Sequence, residues 1–117
     1  MRPAETVEVL LCREVVDFRK SINGLSALVE GHLGLDPFGP QLFVFCNRRR
    51  DKLKILYWER NGYVLWYKRL EKHRFPWPNR DKSDVLAMTG RELNWLLDGI
   101  DLFRLQPHEA LSYKSVA

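Results

Sequence analysis

Three consecutive arginines, Arg48-Arg49-Arg50, followed at short spacing by Lys52 and Lys54, are the residues of this 117-residue chain best equipped for chemistry. Guanidinium forks match the geometry of phosphate oxygens, so such a cluster on an exposed turn suits a polyanion. Downstream, Trp58, Arg60, Tyr67 and Arg69 alternate aromatic and basic types within strand-like runs. A sheet face of that composition can follow phosphates and stack bases. Packing alone also places aromatics in strands, so a purely structural role weighs equally for these rings.

The charge distribution supports the basic reading. From Arg48 to Lys82 there are twelve Lys and Arg against four Asp and Glu, a net of +8, so the remaining residues carry −4 of the chain's +4. That asymmetry points to a polyanionic partner, most often nucleic acid.

Enzymatic constellations are not evident. Asp17, Asp36, Asp51, Glu59 and Glu71 follow no spacing that would converge carboxylates on divalent ions. His32, His73 and His108 share no ligand motif with Cys12 or Cys46, and no Gly-rich phosphate loop occurs. A non-catalytic protein without metal or cofactor is expected. Both cysteines sit in apolar segments without C-x-x-C spacing, which reads as buried free thiols in a reducing compartment. The first residues lack the apolar core of a secretory signal and no apolar run spans a bilayer, so a cytoplasmic protein without membrane contact is expected.

The elements that must carry these residues are legible from periodicity. Thr6 to Cys12 is a β-branched, apolar opening strand. Phe18, Ile22, Leu25, Val29 and Leu33 form a helical stripe, predicting a helix over Phe18 to Leu33 with Asp17 or Ser21 as N-cap and Gly34 and Pro37 as the stop. Gln41 to Cys46 reads as a buried strand. Leu53 to Glu59 and Tyr63 to Leu70 flank Asn61-Gly62, the dipeptide of a type I′ turn, and predict a hairpin. With that turn, Lys54, Leu56, Trp58 and Arg60 share a face with Tyr63, Leu65, Tyr67 and Arg69, while Leu53, Ile55, Tyr57 and Trp66 belong to the opposite, core-like face.

Arg74 to Lys82 is a proline-punctuated extended connection anchored by Trp77, and Ser83 to Met88 is a further candidate strand. Thr89-Gly90-Arg91-Glu92 is a capping box, flanked by Met88 and Leu93 as a hydrophobic staple. It opens a helix with Leu93, Leu96, Leu97 and Ile100 as its apolar stripe and Gly99 near its end. These elements predict one α+β domain over 1–106 and a polar C-terminal tail over 107–117. Its sheet is expected to be an antiparallel meander of about four strands, with two amphipathic helices packed on one face. The face carrying Trp58 and Tyr67 would then be open to a partner.

Several blocks occur together in a recognisable order. They are Val16-Asp17-Phe18-Arg19-Lys20-Ser21-Ile22-Asn23-Gly24-Leu25, the run from Leu42 through Arg48-Arg49-Arg50 to Trp58, Asn61-Gly62, Leu65-Trp66-Tyr67-Lys68-Arg69-Leu70-Glu71, and Leu93-Asn94-Trp95-Leu96-Leu97-Asp98-Gly99. Over nearly its whole length the chain resembles the TnpB accessory proteins of bacterial IS66-family insertion sequences. This family is distinct from the larger RNA-guided nucleases that share the name TnpB.

The resemblance implies a small protein encoded beside a transposase and needed for efficient transposition, but not itself the enzyme that cuts and joins DNA. Its signature residues are the Asp17-x-Arg19-Lys20 block, the arginine triplet and the hairpin aromatics. Asp17, Arg19 and Lys20 admit two readings: a functional surface, or an N-cap with two solvent-facing helix residues, which is the commoner arrangement. Two roles follow for the basic surface. Either Arg48, Arg49, Arg50, Lys52, Lys54, Arg60 and Arg69 contact the phosphates of element-end DNA while Trp58 or Tyr67 stacks, or the surface docks on the transposase or another accessory protein, with Trp66, Trp77 or Trp95 as possible anchors.

Overall fold

The strand Leu42–Cys46 is buried at every residue, so its apolar side chains need cover on both faces of the sheet. In a computed structural model, which describes residues 2–78 and 83–105, that cover comes from one helix-bearing layer on each side. The strands are β1 (Glu8–Cys12), β2 (Leu42–Cys46), β3 (Lys52–Glu59), β4 (Gly62–Arg69) and β5 (Val85–Thr89). They form one five-stranded sheet in the order β4-β3-β2-β1-β5.

The sheet is mixed, not the antiparallel meander of about four strands that the sequence suggests. β1 and β2 are parallel, with Val9 opposite Leu42 and Leu11 opposite Val44, while the other three pairings are antiparallel. Parallel neighbours require a crossover connection, and here it contains α1 (Ile22–Ala27), continued by a π-helical turn over Leu28–His32. The crossover lays Leu25 and Val29 against Phe43, Phe45 and Leu56. The helices α2 (Gly90–Leu97) and α3 (Leu102–Leu105) lie on the other face, where Leu93, Leu96, Leu97 and Leu102 join Val44, Cys46, Leu53 and Ile55. The expectation that both principal helices share one face is therefore corrected. A crossover between β1 and β2 and a helix following β5 leave the sheet on opposite sides.

The first helix begins four residues later than its stripe suggests. Asp17 does not cap it. Its carboxylate accepts from the Arg19 amide at 2.9 Å and its carbonyl accepts from the Lys20 amide at 3.0 Å, closing a separate turn. Ser21 is the N-cap, without a side-chain cap bond.

The hairpin forms, but its turn is displaced. Glu59 pairs with Gly62, Trp58 with Tyr63, Leu56 with Leu65 and Lys54 with Tyr67. Arg60, at φ 55°, takes the left-handed position, and the Asn61 amide donates to the Glu59 carbonyl at 2.5 Å. A left-handed non-glycine residue costs about 1–2 kcal/mol. The register sets Leu56 against Leu65, Ile55 against Trp66 and Trp58 against Tyr63. Pairs of this kind contribute about 0.2–1 kcal/mol each, enough together to offset the turn. Because the slip from the expected register is two residues, every side chain keeps its expected face.

The capping box is present. Thr89 Oγ1 accepts from the Glu92 amide at 3.2 Å and Glu92 Oε1 accepts from the Thr89 amide at 2.9 Å. At the other end of α2, Gly99 adopts φ 84°. Its amide donates to Leu96 O and that of Ile100 to Trp95 O, the paired bonds of a Schellman stop. Trp77 is buried, which suits an anchor of the connection and not one for a partner, and it donates Nε1 to Arg13 O at 3.1 Å. The helix α3 has no counterpart in the sequence reading. The polar tail from Pro107, with Asn79 to Lys82, lies outside the described residues.

The N-terminal turn closes on the start of α2. Gly90 donates to Val7 O at 2.8 Å, and a Cβ at Gly90 would lie 1.9 Å from Ala4 O. The roughly 1 kcal/mol that alanine gains over glycine in a helix cannot offset a backbone collision, for which overpacking costs of about 1–3 kcal/mol are the guide. Gly90→Ala is therefore expected to lower the urea midpoint clearly. Gly31→Ala, where an added Cβ meets nothing within 4 Å, should raise stability by about 0.5–1 kcal/mol.

A candidate nucleic-acid interface

The turn joining β2 to β3 is organised by a buried asparagine. Asn47 accepts the Lys52 amide on Oδ1 at 3.0 Å, donates Nδ2 to Asp51 Oδ1 at 2.8 Å, and accepts the Arg50 amide on its carbonyl at 3.0 Å. The bond from Asn47 holds the Asp51 carboxyl below the usual carboxylate range. Arg48 and Arg49 thereby occupy the corners of a tight turn, and Arg50 follows at φ 62°. The Arg50 carbonyl accepts the Phe75 amide at 2.7 Å, and Asp51 O accepts the Leu70 amide at 2.7 Å. The turn backbone is therefore fixed, while the three guanidinium groups are exposed and, among the described residues, form no salt bridge.

Facing this turn is the segment that follows β1. Val16 donates to Cys46 O at 2.9 Å, tying the segment to the end of β2. Lys54, on β3, fixes its far side: Nζ donates to Phe18 O at 3.0 Å and to Lys20 O at 2.8 Å, 4.8 Å above the Phe18 ring. Partial burial lowers the pKa of this ammonium. Lys54 is thus a cross-brace as well as a charge.

Between the two walls lies an open groove of about 770 Å³. Its cationic lining is Arg19, Arg48, Arg49, Lys52 and Lys54, Asp17 is its one carboxylate, and Tyr67 stands at its β4 side. The Asp17 carboxylate receives the Arg19 guanidinium through Nε at 2.9 Å and through a second nitrogen. The bonds from Arg19 hold the Asp17 carboxyl down at about 2, and Asp17 in turn raises the guanidinium pKa.

The groove joins the Asp17-x-Arg19 block, the arginine turn and the hairpin residue Tyr67. The remaining candidates lie elsewhere. Arg50 carries the turn but does not line the groove, and Arg69 is paired with Glu71 at 3.0 Å. Arg60 marks the distant hairpin end. Near that end Trp58 is half-buried, with Phe38 and Tyr63 centroids at 5.0 and 5.1 Å. The face of β3 and β4 expected to be open is thus partly covered, with Leu56 buried beneath the α1 layer and Tyr67 still 49% exposed.

Arg19 was the residue least visible as a groove component. The helical stripe puts it on a solvent face, and only the Asp17-x-Arg19 spacing, which suits a turn closed by the aspartate, signals otherwise. Both cysteines are buried and neither is in a disulfide, and desolvation pushes the Cys46 thiol up to about 12, so it stays protonated at neutral pH. Among the described residues no group of three His, Cys, Asp or Glu could hold a metal ion, and no helix is long and apolar enough to cross a membrane.

These features define a small mixed-sheet α+β protein with a cationic groove at one end of its sheet. The chain belongs to the family described as IS66 Orf2 like protein, whose model matches residues 7–107. Membership associates it with insertion-sequence transposition in an accessory role, within a family not known to be catalytic. Two proteins of Sinorhizobium fredii (strain NBRC 101917 / NGR234) are similar to it. Uncharacterized protein y4jC is 36% identical over 104 residues, covering 89% of this chain and 88% of its own. Uncharacterized protein y4hO is 33% identical over 97 residues, covering 83% and 84%. No solved structure matches the chain significantly.

Two measurements check the site geometry. In an NMR titration the Asp17 carboxyl should remain ionised until the pH falls to about 2, and Arg19→Gln should return it toward the ordinary value near 3.8. Since the folded value is the depressed one, the stabilisation is present above the usual carboxylate range and is lost as the pH falls through about 2. Lys54→Met leaves two carbonyls without their ammonium and should cost about 1–2 kcal/mol in urea unfolding.

Proposed function

We propose that the groove binds nucleic-acid phosphates, and that the protein assists a separately encoded transposase by holding element DNA. The observation that supports this reading best is the convergence of five cationic side chains against a single carboxylate on one concave surface. Two of them, Arg48 and Arg49, sit on a turn whose backbone is fixed independently of their charge. With the backbone already held, only side-chain freedom is lost when these guanidinium groups meet phosphate. Contacts of this type position a protein on nucleic acid without specifying bases, so sequence preference is expected to be weak.

The second reading is an adaptor that meets the transposase or another accessory protein. It is favoured by Trp95 and Ile100, which are 38% and 43% exposed at the α2 end, away from the groove. Of the other suggested anchors, Trp77 is buried and Trp66 is half-buried within the core layer. An adaptor would lose partner binding on Trp95→Ala and retain DNA binding unaltered if it binds DNA at all.

The experiment is equilibrium binding to labelled element-end and scrambled duplexes over a salt series. Affinity should fall linearly on a log–log plot, with a slope of about −0.9 per phosphate contacted. Arg48→Glu/Arg49→Glu should abolish binding at moderate salt. Asp17→Asn, which frees Arg19 and removes the opposing charge, should tighten it by about fivefold, the scale of one screened charge contact. No binding by the wild type at low salt would overturn the proposal.

A further inference from the structure

Resting on the nucleic-acid reading, we infer that the groove accepts a single strand, or a locally unpaired stretch of DNA, with one base stacked on Tyr67. Proteins that read duplex through the major groove project a helix or two-stranded ribbon into it. Here the six residues of α1 are laid flat on the sheet, and α2, with Glu92 in its first turn, lies on the face opposite the groove. The groove cations surround a hollow instead of decorating a projecting element. At about 770 Å³ that hollow has the size of pockets that enclose small molecules, room for a nucleotide or two.

The aromatic residues separate into two kinds. Phe38, Trp58 and Tyr63 satisfy one another, with centroids 5.0 to 5.6 Å apart. Tyr67 has no ring partner among the described residues, is 49% exposed, and stands opposite Lys54 on β4. β4 is the outermost strand, so a chain leaving the groove past Tyr67 meets the sheet edge. An exposed ring beside a cationic track is the arrangement by which proteins hold unpaired bases, which present a π-face that duplex bases keep stacked internally.

The test compares a labelled twelve-residue oligothymidylate with a twelve-base-pair duplex, by anisotropy at fixed salt, for the wild type, Tyr67→Ala and Tyr67→Phe. Thermal unfolding of each variant confirms that it is folded. The single strand should bind more tightly than the duplex. Tyr67→Ala should weaken single-strand binding roughly 5- to 100-fold and leave duplex binding within twofold, while Tyr67→Phe retains the wild-type preference. Equal or tighter duplex binding, or a Tyr67→Ala effect that is absent or the same on both, overturns the inference while leaving nucleic-acid binding in place. Failure of the wild type to bind either oligonucleotide at low salt overturns both.

Discussion

A strand buried on both faces is the constraint from which the architecture follows. β2 presents Phe43 and Phe45 to one side and Val44 and Cys46 to the other, all nearly inaccessible to water. Neither face could be left to solvent without exposing a run of large apolar side chains. The crossover through α1 covers one face, and α2 with the Phe75 and Trp77 segment covers the other. The parallel pairing of β1 with β2 belongs to the same solution, since a crossover connection delivers the chain back in its original direction.

The groove is a by-product of that arrangement. Where β1 ends and the chain must climb toward α1, residues 15–20 pass the loop that reverses β2 into β3. Two kinds of bond hold this segment beside the loop: Val16 to Cys46 at the base and Lys54 to two carbonyls at the side. The cationic lining therefore comes from two separate stretches of sequence, with Tyr67 added from a third, and its one carboxylate is committed to Arg19. A polyanion entering would meet arginines carried on a backbone already held by hydrogen bonds, with less backbone entropy left to lose than on a mobile basic tail.

What could be read in the sequence was what depends on short spacing. The capping box at Thr89, the strand character of β1 to β4 and the face assignment of every hairpin residue are set by neighbours within a few positions. The hairpin register was not legible, because the cross-strand pairs Leu56 with Leu65 and Trp58 with Tyr63 outweigh the local preference of Asn61-Gly62. The face taken by α1 was hidden for a different reason. Its apolar stripe states that one side is buried, but not which side of the sheet buries it. The arginine turn was evident as charge, whereas its position opposite Arg19 depends on long-range bonds that no local pattern encodes.

Arg50 and Arg60 have φ angles of 62° and 55°, and they are the left-handed non-glycine residues among those described. Each holds a long side chain where the backbone would favour glycine. A library of this protein selected only for endurance to heat would drift toward glycine at both positions, and would shed surface positive charge as it did so. Thermostabilised versions of this scaffold should therefore be screened for solubility and polyanion affinity as separate traits, because melting temperature alone would reward losing them.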